Sequence, residues 1–105
     1  MRILFDQGTP VPLRHHLSGH LIVTAYELEW STLENGDLIR SADAEGFDLL
    51  VTTDSNLKYQ QNLRDRRIAI LVLLSTSWPK IHASVDRVKD AVARAGPGSY
   101  SEVGF

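Results

Sequence analysis

The sequence predicts an α/β domain built on a small, mostly parallel sheet of four or five strands. Short runs of consecutive apolar residues, typical of strands buried on both faces, alternate with segments of helical periodicity. This alternation favours parallel strands joined by right-handed helical crossovers, with helices on both faces of the sheet in a three-layer sandwich. The chain has 105 residues, 43% of them hydrophobic, which is the size and apolar content of one domain spanning residues 1–105.

The strands are predicted at the apolar runs. The expected strands cover residues 2–5, 21–24, 48–53 and 68–74, and the tail 97–105 supplies a short edge strand over 100–103. If the first strand is central, the strand order is 2-1-3-4, and the order reverses between the first and third strands.

The helices are predicted from apolar spacing and from proline and glycine positions. Thr9 is expected to cap a first helix that begins at Pro10 and ends at Gly19. A single last helix is expected between Pro79 and Gly96, because apolar residues recur there at helical spacing. Shorter helices are expected over residues 37–45 and 59–63, with one or two turns over 25–30.

Two carboxylates mark the predicted functional site. Asp6 and Asp54 follow the first and third strands, and ligands of open α/β sheets bind beyond strand ends where the order reverses. Neighbouring carboxylates repel each other, and Mg²⁺ or Mn²⁺ is the usual compensation because hard cations prefer oxygen ligands. The alternative is loop capping, since aspartate readily accepts hydrogen bonds from its own turn. Asp37 opens a helix, where the macrodipole alone already favours an acid.

Composition excludes several classes of function. The chain has no cysteine, so disulfides, zinc–thiolate sites and cysteine nucleophiles are excluded. Its net charge of −2 provides no global basic field, so any contact with nucleic acid must be local. The apolar start is too short for a signal peptide and no run approaches the ~20 residues of a membrane span. A cytoplasmic protein that does not contact membranes is therefore expected.

A partly basic stretch follows Asp54 and is a candidate RNA-binding segment. Its cations would hold phosphates and its tyrosine would stack on a base, although such a stretch is more often a solvated helix and turn before a strand. The residues in question are Lys58, Tyr59, Arg64, Arg66 and Arg67. His16 and His20 lie four residues apart, but Gly19 interrupts the helix that would bring them to one metal.

The motifs around the two aspartates carry a resemblance. The run Ile3-Leu4-Phe5-Asp6-Gln7-Gly8-Thr9-Pro10, then Gly19-His20, then Leu50-Val51-Thr52-Thr53-Asp54-Ser55-Asn56-Leu57 resembles the PIN-like domain superfamily. Within it, the chain is similar to the compact predicted toxin-type nucleases of bacteria. The resemblance implies a Mg²⁺- or Mn²⁺-dependent ribonuclease, with an RNA substrate and an antitoxin protein as partner; a homodimer is also compatible with it.

The resemblance also assigns roles to particular residues. Asp6, Asp37 and Asp54 would hold the metal and form the catalytic acids, while Gln7 and Asn56 would orient water or accept hydrogen bonds beside them. Gln7 and Asn56 stand near positions where many relatives carry further acids. The alternative is therefore a non-catalytic PIN-fold module that binds RNA or a protein through the same face.

Overall fold

The structure, a computed structural model, describes residues 1–56 and 66–105 and contains one open sheet of five parallel strands. The strand order is β2-β1-β3-β4-β5, with every neighbouring pair parallel. The predicted α/β class and the order 2-1-3-4 are confirmed, and the tail forms the expected edge strand. The strands are β1 (Arg2–Phe5), β2 (Leu21–Thr24), β3 (Leu49–Thr52), β4 (Ala69–Leu73) and β5 (Tyr100–Val103).

Helices cover both faces of the sheet. Side chains alternate along a strand, so Ile3 and Phe5 join one apolar cluster while Leu4 joins the other. A 3₁₀ helix, α2 and α3 cover the first cluster, and α1 covers the second. The helices are the 3₁₀ helix Val11–His16, α1 (Asn35–Ala44), α2 (Trp78–Ala83) and α3 (Val85–Arg94). Among the residues that the structure describes, no helix is long and apolar enough to cross a membrane.

Two predicted helices differ from the structure. The first is a 3₁₀ helix with Pro10 at its N-cap and no side-chain cap, while the buried Thr9 hydroxyl donates to Val51 O at 2.9 Å. The single last helix is broken into α2 and α3 at Ser84, whose N–H donates to Ile81 O and closes a tighter turn. The helix expected over 59–63 lies outside the described residues.

Candidate functional site

Asp6 and Asp54 lie just beyond the carboxyl ends of two neighbouring strands, β1 and β3. β1 pairs with β3, and Asp6 N–H donates to Val51 O at 2.9 Å, one step past the end of β1. Asp54 follows two residues after β3 ends, and both aspartates are half-buried. Strand pairing therefore brings together two residues that are far apart in the sequence.

The Thr52 hydroxyl connects the two aspartates. It donates to Asp6 Oδ2 at 2.8 Å and accepts from Asp54 N–H at 3.1 Å. Thr52 is fully buried, so its hydroxyl has a fixed environment. Thr52 was not among the site residues predicted from the sequence. The available signal was a hydroxyl side chain at the last position of an otherwise apolar strand.

The other hydrogen bonds to the carboxylates come from neutral donors. Gln7 N–H donates to Asp6 Oδ1 at 2.7 Å, and Asn56 N–H donates to Asp54 Oδ1 at 2.9 Å. The Asn35 side-chain amide donates to Asp54 Oδ2. Asn35 is the first residue of α1, which begins two residues earlier than predicted and so reaches the site. This contact was also missed by sequence reasoning, which treated Asn35 only as a chain break.

Asp37 points to a different partner. It is exposed on the first turn of α1 and forms an ion pair with Arg40, one turn further along. Within residues 1–56 and 66–105, no group of three or more histidine or acidic side chains is arranged to hold a metal ion. Of the three predicted acids, the structure links Asp6 and Asp54 through Thr52 and pairs Asp37 with a cation.

The described part of the basic stretch lies at the amino-terminal ends of the strands, away from Asp6 and Asp54. Arg66 and Arg67 precede β4, and in a parallel sheet the residues before a strand lie opposite those after it. Arg66 donates to Ser99 O at 3.3 Å, and burial lowers the pKa of its guanidinium; Arg67 N–H donates to Asp43. The predicted contacts Lys58, Tyr59 and Arg64 lie outside the described residues.

The two histidines considered as a metal pair line one cleft but make different contacts. His16 packs against Trp78 and His82, with ring centroids 5.5 and 5.2 Å away. His20 Nδ1 lies 3.1 Å from the amino terminus. His16 and His20 therefore have different neighbours.

The donor set of Asp6 and Asp54 fits a hard divalent cation. A carboxylate has about four acceptor directions, and each of these carboxylates uses two for neutral donors. In residues 1–56 and 66–105, neither aspartate forms an ion pair. Mg²⁺ commonly binds through one or two carboxylates and keeps several waters. The chemistry of the two carboxylates is therefore compatible with such an ion even without a third acid.

A glycine keeps the two site loops close together. A Cβ on Gly8 would lie 2.5 Å from Thr53 Oγ1, closer than real Cβ contacts. Gly8 lies two residues after Asp6 in the loop that follows β1, and Thr53 is the residue before Asp54 in the loop that follows β3. The absence of a side chain at residue 8 thus allows the loops after β1 and β3 to pack against each other.

A cleft of about 320 Å³ opens beside Asp6, between the ends of β1 and β2. Its wall is a turn closed by Thr24 and Glu27: Thr24 N–H donates to Glu27 Oε1 at 2.9 Å, and Glu27 N–H donates to Thr24 Oγ1 at 3.1 Å. This reciprocal pair is a capping box. Arg14 reinforces it by pairing with Glu27 and donating to Ile22 O. The Thr-x-x-Glu spacing is the sequence signal of this capping box.

The Glu27 contacts predict a pH-dependent contribution to stability. The Thr24 N–H, then the Arg14 guanidinium, hold the pKa of Glu27 below its ordinary value. A depressed pKa stabilises the fold above the unfolded-state value, and this stabilisation is lost as the pH falls through the folded-state value. Glu27→Gln is therefore expected to melt below the wild-type protein at neutral pH, and the difference should shrink as the pH falls below the ordinary range of a glutamate carboxyl. Thermal melting across this range, with Glu29→Gln as the neighbouring control, measures the difference.

The comparisons with known proteins add no relative. No protein-family model, no curated protein and no solved structure matches this chain.

Proposed function

We propose that this chain is a metal-dependent ribonuclease of PIN-like type whose metal is held by Asp6 and Asp54. The supporting observation is the pair of carboxylates at the switch point of the sheet, joined by the buried Thr52 hydroxyl. In the described residues their hydrogen-bond donors are neutral, which leaves two negative charges to be balanced by a cation. The role of toxin in a toxin–antitoxin pair is a finer proposal and rests on the sequence resemblance.

Each residue of the site has a separate role in this proposal. A bound Mg²⁺ or Mn²⁺ would supply charge neutralisation at the phosphate and would activate a water. Asp6 and Asp54 would hold it, and the Thr52 hydroxyl links their two loops. The exposed Gln7 and Asn56 carry amides beside the two carboxylates that can orient water or a phosphate oxygen.

Thermal melting with and without millimolar Mn²⁺ or Mg²⁺ tests the metal site. An ion that binds only the folded protein adds ~2.7 kcal/mol of stability at a hundredfold excess over its dissociation constant. We expect the wild-type protein to gain this stability and Asp6→Asn to lose the gain. Asp86→Asn, the same change on the exposed first turn of α3, is the control and should keep it. No shift in the wild-type protein, or an equal shift in Asp6→Asn, contradicts the metal assignment.

A second candidate is a non-catalytic module that binds RNA or a protein through the same edge. The Asp37–Arg40 ion pair favours it, because it withdraws one of the three predicted acids. The same melting experiment separates the two candidates, since a module without a metal centre gains no stability from Mn²⁺.

A further inference from the structure

The cleft beside Asp6 presents apolar surface to solvent. Tyr26 is 75% exposed and Val11 is 52% exposed, and both line this cleft. They are two of only five large apolar side chains that are exposed in the described part of the chain. Exposed apolar surface concentrated at one place, and continuous with a candidate catalytic carboxylate, is typical of a binding site.

The turn that carries Tyr26 is held on both sides. Ala25 N–H donates to Phe5 O at 2.8 Å, and Trp30 N–H donates to Ala25 O at 2.8 Å. The Thr24–Glu27 capping box closes the same turn. An aromatic ring on a fixed backbone loses little conformational freedom when a ligand stacks on it.

The charges of the cleft select a neutral occupant. Asp6 and Glu27 contribute two carboxylates, and the one cation in the lining, Arg14, is paired with Glu27. Away from a cation bound at Asp6, the lining therefore offers no unpaired positive charge to a phosphate group. A flat, uncharged group can stack on Tyr26, and the exposed Gln7 amide at the rim can donate to or accept from its polar edge.

We propose that this cleft is a nucleobase subsite for single-stranded RNA, in which a base stacks on Tyr26 while the neighbouring phosphate lies at Asp6 and Asp54. The inference rests on the proposed function and adds to it a contact between Tyr26 and the base beside the bound phosphate. Stacking on an aromatic side chain tolerates every base, because each base has a π-face. The subsite therefore provides affinity for single strands with little sequence preference.

Equilibrium binding of a short, labelled single-stranded RNA tests the subsite. Binding is measured with Ca²⁺ present, and a gel at the end confirms that the strand is intact. Tyr26→Ala is expected to weaken binding by about 5- to 150-fold, the range found for one base–aromatic stack, while Tyr26→Phe keeps wild-type affinity. Leu21→Ala removes another exposed apolar side chain, at the far end of β2 from the Tyr26 turn, and should bind normally.

The same strand with abasic residues isolates the base from the backbone. Wild-type protein and Tyr26→Ala should bind the abasic strand equally, because no base remains to stack. Equal binding of the normal strand by Tyr26→Ala and wild-type protein, or no binding by wild-type protein, overturns the subsite. The metal site is tested separately by the Mn²⁺-dependent melting of wild-type protein and Asp6→Asn. If Mn²⁺ raises the melting temperature of the wild-type protein but Tyr26→Ala binds RNA normally, the subsite alone is rejected. If Tyr26→Ala weakens RNA binding but Mn²⁺ does not change the melting temperature of the wild-type protein, the ribonuclease proposal is rejected and RNA binding is retained.

Discussion

Asp6→Asn is expected to lower metal-dependent RNA cleavage by at least about 100-fold, the usual loss when one charge-stabilising group is removed from a preorganised site. The change removes one of the two charges that hold the cation and leaves the shape of the side chain. The fold should survive, because the Thr52 hydroxyl that donates to Asp6 can turn and accept from the new amide. The measurement is cleavage of labelled single-stranded RNA in Mn²⁺, together with the melting temperature in a chelator.

Matched variants identify the source of the loss. Asp54→Asn should reduce cleavage comparably, because its carboxylate belongs to the same pair. Asp86→Asn, on α3, should cleave like the wild-type protein. Asp37→Asn tests whether the metal has two or three carboxylate ligands. If this variant loses as much cleavage activity as Asp6→Asn, Asp37 belongs to the site. If it loses less, the site consists of Asp6 and Asp54. Full activity in Asp6→Asn contradicts the proposed function.

The sheet could be predicted because its strands are buried on both faces. Ile3, Leu4 and Phe5 are each fully buried although they point to alternate faces, so the strand is a continuous apolar run in the sequence. Right-handed crossovers then limit the strand order. From that order alone, Asp6 and Asp54 are expected at neighbouring strand ends, and that is where the structure has them.

The remaining contacts depend on side-chain directions that apolar periodicity does not encode. Thr52 and Asn35 reach the carboxylates only because β3 ends at Thr52 and α1 begins at Asn35, and element boundaries vary by a residue or two in any pattern. The Asp37–Arg40 pair has the three-residue spacing of helical neighbours and was available from the sequence. The position of Arg66 was available too, because residues before a parallel strand lie opposite those after it.

Thr52→Val is expected to weaken both the fold and the metal site. Valine has the shape of threonine but leaves the half-buried Asp54 N–H without its acceptor and the half-buried Asp6 Oδ2 without its donor. Leaving a buried polar group unpaired costs about 1–3 kcal/mol, and half-buried groups that water can reach fall at the lower end, roughly 4 °C in melting temperature for a domain of this size. Losing a group that orients metal ligands typically costs about 10- to 100-fold in metal affinity.

Thr52→Ser separates positioning from packing. Serine keeps the hydroxyl and loses only a methyl group, so it should restore metal affinity even where the melting temperature stays below that of the wild-type protein. Mn²⁺ titration well below the melting temperature of every variant measures affinity on folded protein. If Thr52→Val binds Mn²⁺ as tightly as Thr52→Ser, the hydroxyl contributes to stability alone. The two aspartates would then be held in place by Gln7 N–H, Asn56 N–H and the Asn35 amide.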